Sequence, residues 1–261
     1  MTEYKVPKVW VWKEEDKTET GNQPVAGSRF DQQLPVGDEP FQVYSLGTPN
    51  GKKIAIMFEE LKEAGITKAA YDLYKINIGD GDQFGSDFVK INPNSKIPAM
   101  VDYSEDKPIR VFESGSILLY LAEKFQKFLP TDLAGRTEVL NWVFWQTGAG
   151  PFVGGGFGHF FEYAPTKQEY PINRYAMETK RQLDLLDRQL ADKDYITGDD
   201  YTIADMMIWP WYGALAHDDL YKNAGEFLNV KEYPNLIAWA DRVGTRPAVK
   251  RAQTIDYKPI K

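Results

Sequence analysis

The chain has 261 residues and a formal net charge of −7, with 43% hydrophobic and 14% aromatic residues. That balance excludes a disordered chain and, with no long basic run, argues against a nucleic-acid or anionic-membrane binder. It contains no cysteine and only two histidines, His159 and His217. This removes disulfides, thiolate metal ligands and a cysteine nucleophile, and argues against a multi-histidine metal centre or a hydrolytic triad.

Residues 1–40 read as an irregular arm carrying Trp10, Trp12 and several Gly and Pro residues. Its aromatics predict packing, against a dimer partner or the rim of an active site. The chain opens on a charged stretch and not an export signal. No apolar run approaches the roughly 18 residues of a membrane span. A cytoplasmic protein is expected.

From Phe41 the pattern sharpens. Phe41 to Leu46 reads as a strand and Gly47 to Gly51 as a loop rich in breakers. Ile54, Met57, Phe58 and Leu61 recur at helical spacing, and Gly65 ends that helix. Tyr71 to Ile76 is a second strand, so the unit is βαβ with a parallel pair. A turn at Asp80 to Asp82 precedes a short helix from Phe84 to Ile91. After the loop Asn92 to Pro98, Ala99 to Asp102 and Ile109 to Phe112 form an antiparallel hairpin. Glu113-Ser114-Gly115 opens a helix through Phe125, apolar almost all round and therefore expected to be buried. Beyond Pro130 the strand signal disappears. Arg136 to Gln146, Ile172 to Ala191, Ile203 to Ala216 and Pro234 to Val243 read as helices, with Thr202 and Asp205 as a capping box. The expected organisation is an arm (1–40), a small α/β domain (41–130), an all-helical domain (131–252) and a tail (253–261).

Three places carry chemistry on residue grounds. Thr48 and Asn50 stand where a helix follows a strand, so unpaired N–H groups and a positive dipole end would favour a thiolate beside them. Both also suit plain turn and cap roles. Ile97-Pro98 suits a cis turn, or an ordinary trans turn before a strand. Ser114 opens a helix, an anion site or simply a cap, with Glu113 able to face an ammonium.

A βαβ–ββα unit with Ile97-Pro98 before its third strand resembles a thioredoxin fold, in which the cis form turns the preceding backbone, here that of Ile97, outward for strand-like pairing. Glu113-Ser114 and the run Tyr201 to Asp205 make the whole similar to a cytosolic glutathione transferase. Ser45 to Gly51, Ile78 to Phe84, Asn92 to Pro98 and Gly154 to Phe160 narrow the resemblance to the nu class, across nearly the whole chain. The resemblance implies a thioredoxin-like α/β domain plus an all-α domain, in a homodimer. It implies glutathione-dependent reduction of small disulfide or peroxide substrates, with glutathione as the borrowed thiol, two per subunit or one as the disulfide, and no metal. It places Thr48 and Asn50 against sulfur as the catalytic pair. It adds Pro49, Lys96, Ile97, Pro98, Glu113 and Ser114 as glutathione contacts, with Gln83 at the same ligand end as Ser114. Asn22 and Arg174 would reach the second glutathione, Arg174 through a carboxylate fork. Where relatives carry Gln, this chain has Thr147, with Gln146 next to it.

Two other readings stand beside it: conjugation of glutathione to small electrophiles, against which the polar Asn22 and Arg174 speak, and a non-enzymatic binding module. His159 and the tryptophans Trp142, Trp145, Trp209 and Trp211 are expected to pack, and His217 to end a helix. The glycine triplet at 154–156 is expected to permit close backbone approach.

Overall fold

The computed structural model describes residues 4–14 and 21–260. Four strands, β1 (Phe41–Ser45), β2 (Tyr71–Lys75), β3 (Ala99–Asp102) and β4 (Ile109–Phe112), form one mixed sheet in the order β2-β1-β3-β4. β1 pairs parallel with β2, and β3 pairs antiparallel with both β1 and β4. The crossover between β1 and β2 is α1 (Pro49–Glu63). Thr48 caps it and Pro49 supplies a preset φ at its first turn. Gly65 follows its end at φ +76°, a conformation that needs no Cβ. The predicted stripe Ile54, Met57, Phe58 and Leu61 is fully buried.

α2 (Ser86–Ile91) covers the other sheet face with Phe88, in a small cluster containing Leu34, Tyr44, Tyr74 and Ile76. Leu34 belongs to the arm. The Arg29 guanidinium stacks 3.4 Å from the Phe84 ring centre, and Tyr44 donates to the Pro35 carbonyl at 2.8 Å. This stretch of the arm therefore packs on its own sheet. α3 (Ser114–Phe125) buries Ile117, Leu118, Leu121 and Ala122 but leaves Leu119 and Tyr120 half-buried, so only one face is fully covered.

The helical half comprises α4 (Leu133–Pro151), α5 (Glu169–Gln189), α6 (Ile203–Ala216), α7 (Ala224–Phe227), α8 (Pro234–Gly244) and α9 (Pro247–Gln253). α4 extends past the predicted Gln146 through Thr147-Gly148-Ala149-Gly150. At Pro151 it passes into a π-helical stretch, Phe152–Tyr163. The widened winding is visible in the Ala164 N–H, which reaches back five residues to the His159 carbonyl at 2.6 Å. The glycines there do permit close approach. A Cβ on Gly154 would lie 2.7 Å from the Trp211 ring, and one on Gly156 would lie 2.3 Å from Tyr175.

α6 runs through the middle of the helical half and is buried almost throughout. Its capping box forms as predicted: Thr202 Oγ1 accepts from Ala204 N–H, and Asp205 Oδ2 accepts from Thr202 N–H at 3.0 Å. Asp205 Oδ1 also accepts from Ile196 N–H at 3.0 Å and from the Trp239 indole at 2.8 Å. The tail beyond α9 returns to the sheet, where Lys258 exchanges backbone hydrogen bonds with Leu73 and Lys75 on the open edge of β2.

Asp205 satisfies three buried N–H groups from separate segments, so removing its carboxylate orphans all three. Asp205→Ala is expected to cost about 3–5 kcal/mol. Urea unfolding should show a lower midpoint with an unchanged slope.

Candidate functional site

β1 delivers the chain to the mouth of a cleft between the two halves. The cleft is about 530 Å³, within the usual range for small-ligand sites, with side lobes of about 200 and 180 Å³. Asn50 and Lys96 line all three parts. Thr48 lies on the floor, where its oxygen accepts from Gly51 N–H at 3.4 Å and its own O–H remains available as a donor. Asn50 is the second residue of α1; Pro49 has no N–H and Gly51 N–H is taken by Thr48, so the Asn50 N–H is the donor left at this helix start among the described contacts. Its Oδ1 accepts from the Trp211 indole at 2.9 Å.

The next wall is the loop before β3. The Ile97-Pro98 bond is cis. Asn92 fixes this loop from inside: its Nδ2 donates to the Lys96 carbonyl at 2.6 Å, and its Oδ1 accepts from Asn94 N–H at 2.9 Å. Ile97 and Pro98 line the same lobe as Asn50, Glu113 and Ser114.

Glu113 and Ser114 close that end. Glu113 sits at φ +69°, an uncommon backbone state that carries a cost of about 1–3 kcal/mol and is held in place by its surroundings. Its side chain is exposed to the cleft, and Ser114 is the first residue of α3 and not its cap. Beneath them lies Lys53, a residue the sequence reading did not select. Lys53 is only 1% exposed and lines the cleft. Its Nζ donates to Gln146 Oε1 at 2.7 Å and to Ser114 Oγ at 3.3 Å. Burial drives this amine well below the usual lysine range, and only the Glu113 carboxylate pulls the other way. The arrangement suits an anion: two helix N-termini, a hydroxyl, an amide and a buried amine.

Thr48, Pro49, Asn50, Lys96, Ile97, Pro98, Glu113 and Ser114 thus line the cleft and its side lobes together. Asn22 joins at the rim, its Oδ1 accepting from the Lys96 ammonium at 3.1 Å. Gln83 lines the lobe that also holds Ile78, Ser95 and Ile97. Arg174 is exposed on α5 and lines none of the three parts. The inward stripe of α5 runs through Thr179, Leu183 and Leu186, with Tyr175 packed against Phe160, and position 174 is turned away from it.

On the helical wall Thr147 lines the cleft, but its hydroxyl bonds back to the Val143 carbonyl at 3.0 Å. Gln146 is turned inward to Lys53. Trp211 is half-buried: it packs against the core cluster and also lines the cleft. His159 packs edge-on against Phe160, and His217 ends α6 with Nε2 2.9 Å from Asp241. Among the described residues no cluster of three or more His, Asp or Glu is disposed to hold a metal, and no helix is long and apolar enough to cross a membrane.

Comparison with known proteins bears on this geometry. A family model described as "Glutathione S-transferase, N-terminal domain" matches residues 49–124, and its C-terminal counterpart matches 169–242. The disulfide-bond oxidoreductase YghU of Escherichia coli K12 is 57% identical, over 97% of this chain and 88% of its own. A crystal structure of the glutathione transferase YghU from Streptococcus pneumoniae, complexed with glutathione, matches with TM-score 0.97 and 59% identity. It covers 99% of this chain and 100% of that one. A Burkholderia graminis glutathione transferase with two glutathione molecules bound per subunit matches with TM-score 0.75 and 38% identity, over 82% and 88%.

The buried amine gives a pH signature. Lys53 titrates lower when folded than unfolded, so between the two values the unfolded chain carries the extra proton and stability rises with pH. The gain is at most about 1.4 kcal/mol per pH unit and ends near the ordinary lysine value of about 10.4. Denaturation across neutral to alkaline pH should show Lys53→Met lacking this rise relative to the parent chain.

Proposed function

This chain belongs to the glutathione S-transferase family, and from that premise we propose that it is a glutathione-dependent disulfide-bond reductase of the nu class. The observation that carries the reading is a cleft combining Thr48, Asn50, the cis Ile97-Pro98 turn and Ser114 in a chain with no thiol of its own. Thiol–disulfide exchange here must borrow both reacting sulfurs. Glutathione is the reducing co-substrate, bound as two thiols or as one disulfide. The relatives' bound ligands support this occupancy.

One glutathione thiolate attacks a substrate sulfur, forms a mixed disulfide and expels the substrate's first thiolate. The second glutathione thiolate then attacks the glutathione sulfur of that mixed disulfide. The second substrate thiolate leaves, and oxidised glutathione remains. Two electrons pass from two glutathiones to the substrate disulfide. A small peroxide is the alternative oxidant. The protein supplies placement and dipoles. Thr48 O–H and the Asn50 amide face the attacking sulfur, the Ile97 backbone pairs with the cysteinyl unit, and Ser114 with Lys53 receives the γ-glutamyl carboxylate. Glu113 takes the ammonium, and Asn22 with Lys96 borders the second molecule. A homodimer in the cytoplasm, where reduced glutathione is supplied, completes the proposal.

One observation favours the rival activity. The helical wall presents Met207, Leu220 and Tyr221, and Arg174 is not part of it. Such a surface also suits an apolar electrophile, so conjugation is the second reading. Turnover on a model disulfide against an aryl halide separates the two.

Thr48→Ala is expected to lower disulfide-reductase kcat by about tenfold to a hundredfold while glutathione binding by calorimetry changes little. Equal losses in both would remove Thr48 from the sulfur. Calorimetry of the parent chain should also count two glutathiones per subunit, and a count of one would overturn the two-thiol scheme.

A further inference from the structure

Two tryptophans two residues apart on α6 are used differently. Trp209 is buried, and its indole donates to the Ala240 carbonyl at 2.9 Å, inside the helical half. Trp211 is half-buried in the cleft, and its indole reaches across 161 residues to Asn50 Oδ1 at 2.9 Å. An indole N–H is a donor only, so the atom facing it has to be the amide oxygen. That fixes the carboxamide. Its NH₂ end is left on the other side of Cγ, as a donor for whatever occupies the cleft.

Without this bond nothing else among the described contacts selects the orientation. The terminal torsion of Asn is broad and roughly two-fold, so donor and acceptor ends would exchange freely. The ring itself is seated by Gly154, where a Cβ would meet Trp211 at 2.7 Å and 3.1 Å. The π-helical stretch, α6 and the start of α1 therefore converge on one amide.

We propose that Trp211 is a positioning residue for sulfur chemistry, holding the Asn50 amide with its N–H donors toward a bound thiolate. The proposal rests on the reductase reading for the identity of the sulfur. Its physical content is pre-organisation: a donor fixed before the charge arrives needs no reorganisation when it does.

The test substitutes Trp211→Phe and, to keep ring shape while deleting only the N–H, places benzothienylalanine at position 211. Each is combined with Asn50→Ala in a double-mutant cycle. Three quantities are read: disulfide-reductase kcat, KM for glutathione, and the pKa of the bound thiol from its ultraviolet thiolate absorbance. Both substitutions are expected to lower kcat about threefold to tenfold, to raise the bound thiol's pKa and to change KM little. In the Asn50→Ala background they should have no further effect.

An isosteric replacement that leaves kcat and the thiol pKa unchanged overturns the proposal. So do losses that multiply with those of Asn50→Ala. If the parent chain shows no disulfide turnover but the thiol pKa still responds to position 211, the reductase reading fails while the positioning role stands.

Discussion

Glu59 and Glu60 are only 4% and 2% exposed, and each is neutralised by an arginine from the far end of the chain. Arg246 forks onto Glu60 at 2.6 and 2.8 Å, and Arg251 binds Glu59 at 2.6 Å and Glu63 at 2.8 Å. Carboxylates this far from water require such partners, so α1 tolerates no loose association with the helical half. The clamp works at the end of α1 remote from the cleft. It orients the helix whose opposite end carries Thr48, Asn50 and Lys53. The apolar face of α1 against the sheet and α6 supplies the burial, and the paired charges fix the angle at which two otherwise separate layers meet.

That junction makes the cleft polar in a particular way. Among its walls the one deeply buried cation site, Lys53, is turned toward Ser114 and Gln146. The α1 N-terminus offers neutral donors instead: a hydroxyl, an oriented amide and the Asn50 backbone N–H. A carboxylate and a thiolate would therefore meet different environments a few residues apart, one beside a buried amine, the other resting on dipoles.

Much of this was legible in the sequence because the signals are local. The strands, α1 with its stripe, the Thr202 and Asp205 box, and the run Asn92 to Pro98 each depend on neighbours within a few residues. What failed to show depends on distance or phase. Lys53 lies next to Lys52 on an amphipathic helix and reads as a solvated charge, although tertiary packing closes over it. Trp211 reads as core beside Trp209, and only the meeting of α6 with Asn50 adds its place in the cleft. Arg174 comes from likeness alone, and in the structure it is an exposed residue of α5 that lines none of the three parts of the cleft. The π-helical winding of 152–163 has no periodicity to announce it, since glycines and aromatics mix there without a stripe. The arm's aromatics signal packing but not a surface, and the residue that does enter a core is the aliphatic Leu34, on the chain's own sheet.

Neutral stabilisation of sulfur has a chemical logic for the reaction proposed. A thiolate beside a full cation is more abundant but less nucleophilic, because reactivity falls as the thiol becomes more acidic, and the best attacking thiol has a pKa near the ambient pH. Dipoles and hydroxyls shift a thiol only part of the way from its free value of about 8.5, toward that optimum. In the proposed arrangement the lysine lies under the carboxylate end and an indole-held amide at the sulfur end, which would separate binding from reactivity. The same separation explains how a chain without cysteine differs from one that carries its own thiol. A resident cysteine is tuned once by its fold, whereas a borrowed sulfur must be tuned on arrival, which makes the orientation of each donor before binding the property the site has to preserve.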